Sequence, residues 1–204
     1  MAFGNFKSLG DVALAYQVGV TVDSFLQPIP FPVDARFESE LTFALKNVDV
    51  RMSEASVCEF LIAPVLREVW KPHSDALSIW SHVPLGVEDP LVGVPDYFFS
   101  RRSPLGRVRD QPYVLVVEAK KDDFEAGWAQ CLAAMLAAQR MNDHPARIVY
   151  GCVSSGMSWE FGKLDGQMLT QEIRQYGLSD LPDLFAAWNY VFVQAKEQAL
   201  APAA

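Results

Sequence analysis

The alternation of apolar and polar positions changes most sharply between residues 112 and 124. Tyr113-Val114-Leu115-Val116-Val117 runs without interruption into Glu118-Ala119-Lys120-Lys121-Asp122-Asp123. A short continuous apolar run predicts a buried strand over residues 112–120. The next segment, FEAGWAQCLAAMLAAQR at 124–140, is rich in Ala, Leu and Met and predicts a helix, with Asp122 or Asp123 as its cap. ARIVYGCVSS, 146–155, is a second continuous apolar strand. Strand, helix and strand form a βαβ unit, which implies parallel pairing and a right-handed crossover. MSWEFGKLDGQML, 157–169, predicts a further strand or a hairpin turning at Asp165-Gly166.

Upstream, SEASVCEFLIAPVLREVW starts at Ser53, a suitable N-cap with Glu54 in the first turn. Val57, Phe60, Leu61, Val65 and Val69 recur at helical spacing, and Pro64 predicts a kink. LSIWSHVPLGV at 77–87 and LVGVPDYFF at 91–99 predict a hairpin turning through Glu88-Asp89-Pro90. RRSPLGRVRD, 101–110, predicts a polar loop. At the N-terminus, Ser8 to Val18 predicts a short helix capped by Ser8, followed by VGVTV with strand character. The Pro-rich QPIPFPVD, 27–34, predicts a loop. A last helix covers Leu181 to Leu200, ahead of a frayed tail. The expected fold is a single α/β domain over 1–204, a mixed central sheet flanked by helices. Residues 1–50 form an N-terminal extension, 53–160 the core, and 181–204 the closing helix and tail.

With 204 residues, half of them hydrophobic and 13 of them Phe, the chain can bury a sizeable core. No apolar run reaches the roughly 18 residues of a membrane span, and Met1 to Val20 is too mixed for a signal peptide. The expectation is a soluble, cytoplasmic protein without a membrane partner. Cys58, Cys131 and Cys152 sit among apolar neighbours at no zinc-like spacing and read as buried, reduced thiols. The net charge of −8 argues against bulk, sequence-independent adhesion to nucleic acid, which wants a basic footprint. His73, His82 and His144 form no metal-binding pair. There is no Gly-rich phosphate loop and no G-x-S-x-G elbow.

Glu118 and Lys120 point to one face of their strand and Ala119 to the other. On its own this describes either a solvated strand end with a modest ion pair or a ligand site. Asp96 tips the balance. A carboxylate between Val94-Pro95 and Tyr97-Phe98 is costly to bury without a partner. If its strand neighbours the Glu118 strand, Asp96, Glu118 and the Ala119 carbonyl make a hard oxygen site for Mg²⁺ or Mn²⁺. Pro95-Asp96 followed by Glu118-Ala119-Lys120 resembles the PD-(D/E)xK motif of the restriction-endonuclease-like nucleases. The flanking order of helix, meander, E-x-K strand, helix and strand is also similar, over residues 53–160.

The resemblance implies a restriction-endonuclease-like three-layer sandwich and hydrolysis of phosphodiester bonds in DNA. It implies catalytic roles for Asp96, Glu118 and Lys120. Glu59, on the preceding helix, would join Asp96, Glu118 and Ala119 around the metal. Gln130, on the following helix, would support the site. Glu59 also reads as the exposed side of an amphipathic helix and Gln130 as an ordinary helix polar residue. Arg101, Arg102, Arg107 and Arg109 are candidate phosphate contacts, or else a solvated hairpin tip. The competing expectation is a non-catalytic subunit of the same fold, acting through a protein partner or as a homodimer. RNA and nucleotides stand beside DNA as substrates.

Overall fold

The computed structural model describes residues 3–86, 91–142, 144 and 146–201. A 3-10 turn, Phe3–Asn5, leads into helix α1 (Leu9–Tyr16). Ser8 caps it reciprocally: its hydroxyl accepts from the Asp11 N–H, and the Asp11 carboxylate accepts from the Ser8 N–H. Strand β1 (Gly19–Asp23) follows. After the Pro-rich loop comes α2 (Ala35–Asn47), capped by Asp34.

Ser53 caps the next helix as expected, accepting from the Ser56 N–H. This helix is not continuous. α3 (Glu54–Val57) passes through a π-helical turn, Cys58–Ile62, into α4 (Ala63–Trp70). The predicted kink at Pro64 takes this form. Proline lacks an N–H and crowds the carbonyl four residues back. The widened turn just before it, closed by the Ala63 N–H on the Cys58 carbonyl, absorbs that conflict.

The strands are β2 (Leu77–Ser81), β3 (Leu85–Gly86), β4 (Val92–Gly93), β5 (Tyr97–Arg102) and β6 (Arg109–Ala119). Helix α5 (Phe124–Met141) is capped by Asp123. Then come β7 (Val149–Ser154), β8 (Ser158–Asp165), β9 (Met168–Glu172), β10 (Tyr176–Gly177) and α6 (Leu181–Leu200). The predicted hairpin is present in outline: β2 pairs with β5, and a small β3–β4 ladder branches from it. Its Glu88-Asp89-Pro90 turn lies outside the described residues. The polar loop expected over 101–110 is shorter, because β5 extends through Arg102 and β6 begins at Arg109.

The main sheet is ordered β1-β9-β8-β7-β6-β5-β2, with β10 also pairing with β8. It is mixed. β6 and β7 are parallel across the α5 crossover, β1 and β9 are parallel at one edge, and the other pairs are antiparallel. Side chains alternate across each strand and so feed two cores. Phe99, Leu115, Val117 and Phe161 pack under α4 and α6. Phe98, Val116 and Val153 pack under α5 and α1. The result is a layer of helices on each face of a mixed sheet.

Both ends are built into the fold, and the closing helix runs over Leu181–Leu200 as expected. Residues 1–50 are not an appendage, because α1 packs on α5 and β1 extends the sheet. The last helix is central to its layer: Trp188 and Phe192 of α6 are fully buried. Truncating either to Ala should cost about 3–5 kcal/mol.

Candidate functional site

β5 and β6 are adjacent and antiparallel, with Tyr97 opposite Val117. Extending that register by one residue places Asp96 opposite Glu118. β2 and β5 pair Ser81 with Tyr97, so the same extension places His82 beside Asp96. The His82 N–H does donate to the Asp96 carbonyl, at 2.9 Å. His82, Asp96 and Glu118 thus form one row across three strands, where the sheet leaves the core.

Each carboxyl group in the row is held differently. Asp96 accepts from the Ala119 N–H through Oδ2 at 2.7 Å, and its Oδ1 lies 3.3 Å from His82 Nε2. Glu118 is 4 % exposed, and its carboxyl lies beside that of Asp96. Burial pushes its carboxyl well above the usual range, and the neighbouring Asp96 adds to the rise. Lys120 opposes it without cancelling it. Two carboxyl groups this close cannot both ionise cheaply, and the cost falls on the buried Glu118.

Lys120 follows two residues on, along the same strand direction as Glu118. Its stem lies under the first turns of α5. A Cβ built on Gly127 would come within 2.8 Å of Lys120 Cγ and 2.6 Å of Val153 Cγ1. Only glycine lets α5 approach this closely. The Lys120 backbone N–H donates to the Ser154 carbonyl, and its ammonium reaches Glu54 Oε1 at 3.5 Å.

The acidic side chain that reaches Lys120 from the preceding helix is Glu54, while Glu59, the residue expected beside the metal, lines a cleft on the α2 side. Helical geometry explains the difference. Glu54 and Cys58 are four residues apart and share a face. That face meets the sheet end, while Glu59 lies one residue further round and is exposed. Glu59 lines a cleft of about 630 Å³ with residues of α2 and α4, among them Phe37, Leu41 and Arg67. None of Asp96, Glu118 and Lys120 lines that cleft. Gln130 is also apart: its amide faces Gly4, 3.8 Å from where a Cβ there would stand. What Ala119 provides is its N–H to Asp96, where the sequence suggested its carbonyl for a metal.

Two further side chains join the row without having been singled out. Cys58 is buried at the start of the π turn, with its thiol within 4.8 Å of an Asp96 carboxylate oxygen. Burial, with Asp96 next, pushes that thiol up to about 12. The Tyr97 hydroxyl donates to the Cys58 carbonyl at 3.2 Å, and burial raises this phenol too. Ligand-capable atoms of Cys58, His82 and Asp96 all lie within 4.8 Å of one another. The Glu54–Cys58 spacing was a readable helical signal. His82 carried none until the hairpin register was fixed.

The four arginines lie elsewhere. Arg101 pairs with Asp110 on the opposite strand, at the far end of the β5–β6 ladder. From Val117 to Asp110 along β6 is seven residues, about 24 Å. Arg101 Nη2 bonds Asp110 at 3.0 Å, Arg102 donates to the Ser74 carbonyl at 2.8 Å, and Arg109 donates to the Pro84 carbonyl at 2.7 Å. Arg107 is exposed in the connecting loop.

No protein-family model matches the chain, and no curated protein matches it. No helix among the described residues is long and apolar enough to cross a membrane.

Proposed function

We propose that this chain is a metal-dependent phosphodiesterase of the restriction-endonuclease-like fold, cutting DNA at Asp96, Glu118 and Lys120. The observation that carries the reading is the placement of Asp96 opposite the buried Glu118 across neighbouring strands, with Lys120 two residues on. The donor set fits a hard divalent cation. Two carboxyl groups face each other across neighbouring strands, and a divalent cation would relieve their repulsion. Asp96 and Glu118 would hold Mg²⁺ or Mn²⁺, which when bound supplies an activated water and offsets charge on the phosphate.

The chain's own groups do the remaining work. The Ala119 N–H fixes the Asp96 carboxylate, so its second oxygen is oriented before anything binds. Glu118 would offer its carboxylate as the second oxygen ligand. The Lys120 ammonium, its stem clamped under Gly127, stabilises charge on the scissile phosphate. Glu54 holds that ammonium in place from the helix side. The arginines at the far end of the ladder could share one duplex with this site. At about 3.4 Å per base pair, about seven base pairs span the separation.

The three buried, unpaired cysteines fit a reducing compartment, and we place the protein in the cytoplasm. A second reading is a non-catalytic subunit of this fold that works through a protein partner or a second copy of itself. Its support is the cleft beside α2, rimmed by the exposed Phe43, together with a net charge of −8.

The test is a Mg²⁺- and Mn²⁺-dependent cleavage panel with supercoiled plasmid, single-stranded DNA, branched DNA and RNA. Cleavage by wild type and not by Glu118→Gln supports the hydrolytic reading. Equal activity in both, or none in wild type on any substrate, moves the weight to the binding subunit.

A further inference from the structure

We infer that Cys58, His82 and Asp96 form a site for a borderline-soft divalent cation of the Zn²⁺ class, set beside the carboxylate pair. The inference stands apart from the hydrolytic reading and shares only Asp96 with it.

The three donors come from three separate elements: the π turn, the residue after β2 and the residue before β5. Local chain continuity does not bring them together; the fold does. Their ligand atoms lie within 4.8 Å of one another, and His82 Nε2 is already 3.3 Å from Asp96 Oδ1. In a tetrahedral zinc site, bonds of about 2.0–2.3 Å put donors about 3.3–3.7 Å apart. The cluster needs a contraction of at most about 1.5 Å on that scale, within reach of small side-chain rotations.

Each donor also has the support that orients a metal ligand. Ser81 Oγ lies 2.8 Å from His82 Nδ1, which leaves Nε2 turned toward Asp96. The Ala119 N–H holds Asp96 Oδ2 and leaves Oδ1 for a cation. Tyr97 packs its ring edge-on to His82 and donates its hydroxyl to the Cys58 carbonyl, fixing both walls. His82 takes φ = 52°, the left-handed region a histidine seldom occupies, and this conformation aims the imidazole at the row.

The donor chemistry discriminates. A thiolate and an imidazole suit Zn²⁺ or Co²⁺ and serve Mg²⁺ poorly. Three protein donors leave a fourth position open, as catalytic zinc sites do. On binding, the Cys58 S–H bond breaks, a sulfur–metal bond forms, and the proton leaves to solvent.

The test strips the full-length protein with chelator and titrates it with Co²⁺, followed by absorption. The expected result is a thiolate-to-cobalt charge-transfer band with four-coordinate visible bands. Both saturate at one Co²⁺ per chain, and Zn²⁺ bleaches them. Cys58→Ser should lose the charge-transfer band. His82→Gln, on a half-exposed side chain, should weaken binding at least about tenfold with circular dichroism unchanged. It carries the test alone if the buried Cys58 variant fails to fold. No charge-transfer band in wild type, a band that persists in Cys58→Ser, or wild-type affinity in His82→Gln overturns the inference. A cobalt band in a protein that cleaves nothing contradicts the hydrolytic reading alone. Cleavage by a protein with no band contradicts this one alone.

Discussion

The two ends of the β5–β6 ladder are both charged, yet their charges are handled in opposite ways. At the loop end, Arg101 meets Asp110, and Arg102 and Arg109 each meet a backbone carbonyl. Every one of these cations has a partner at normal hydrogen-bond distance in partly solvated surroundings. At the other end, Asp96 and Glu118 face each other with Cys58 and His82 alongside, and the Lys120 ammonium is engaged by Glu54. There acidic side chains crowd together around a buried one, Glu118. Folding alone favours the first arrangement. The second is unfavourable for folding and makes sense when a cation completes it.

Lys120→Ala should separate the two ends most strongly. We expect a fall of about 10²–10³ in kcat, with Mn²⁺ affinity unchanged by calorimetry. Full activity in that variant would remove Lys120 from the chemistry.

Gly127→Val should come next. Its side chain cannot fit between Val153 and the Lys120 stem. Urea denaturation should show a loss of about 1–3 kcal/mol, and activity should fall with it because Lys120 is displaced. An unaffected kcat in a folded Gly127→Val protein would break the link between the α5 approach and the site.

Glu118→Gln tests the carboxyl end through pH. The ordinary glutamate value is 4.5, and Glu118 in the folded chain lies well above it. Between the two, the native state holds a proton that the unfolded chain has released, so stability falls as pH rises. Thermal melts should therefore show the variant gaining on wild type from about pH 5 upward and matching it near about pH 4. A gap that does not change with pH would mean Glu118 ionises normally.

The smallest effect belongs to the loop end. Arg101→Ala should cost only about 0.2–1 kcal/mol and leave kcat on a short substrate untouched. A large loss of kcat there would erase the contrast between the two ends.

How much of this was legible differs by element. The β6–α5–β7 unit reads directly, because continuous apolar strands flank an Ala-rich helix. Asp96 and Glu118 were legible as a pair because both carboxyl groups sit in apolar surroundings. Helix α2 was not legible. Only Phe37 and Leu41 turn inward, while Phe43 and Leu45 are exposed, so no apolar stripe marks it. β1 is an edge strand with four of five residues exposed, and its partner β9 lies far along the chain. Glu59 stands out in the sequence as an acidic residue among apolar ones, whereas Glu54 reads only as a first-turn residue. The π turn and the sheet contact, neither encoded locally, decide which face of that helix meets the site. The placement of the arginines required the β5–β6 register, which no local pattern sets.

The most direct test is calorimetric titration of Mn²⁺ into the metal-free wild-type protein and Asp96→Asn, at two pH values. The account predicts saturable binding in wild type that tightens by up to about tenfold per pH unit while Glu118 is still protonated, and no binding in the isosteric variant. Binding that survives Asp96→Asn, or a wild type that takes up no Mn²⁺, would contradict it.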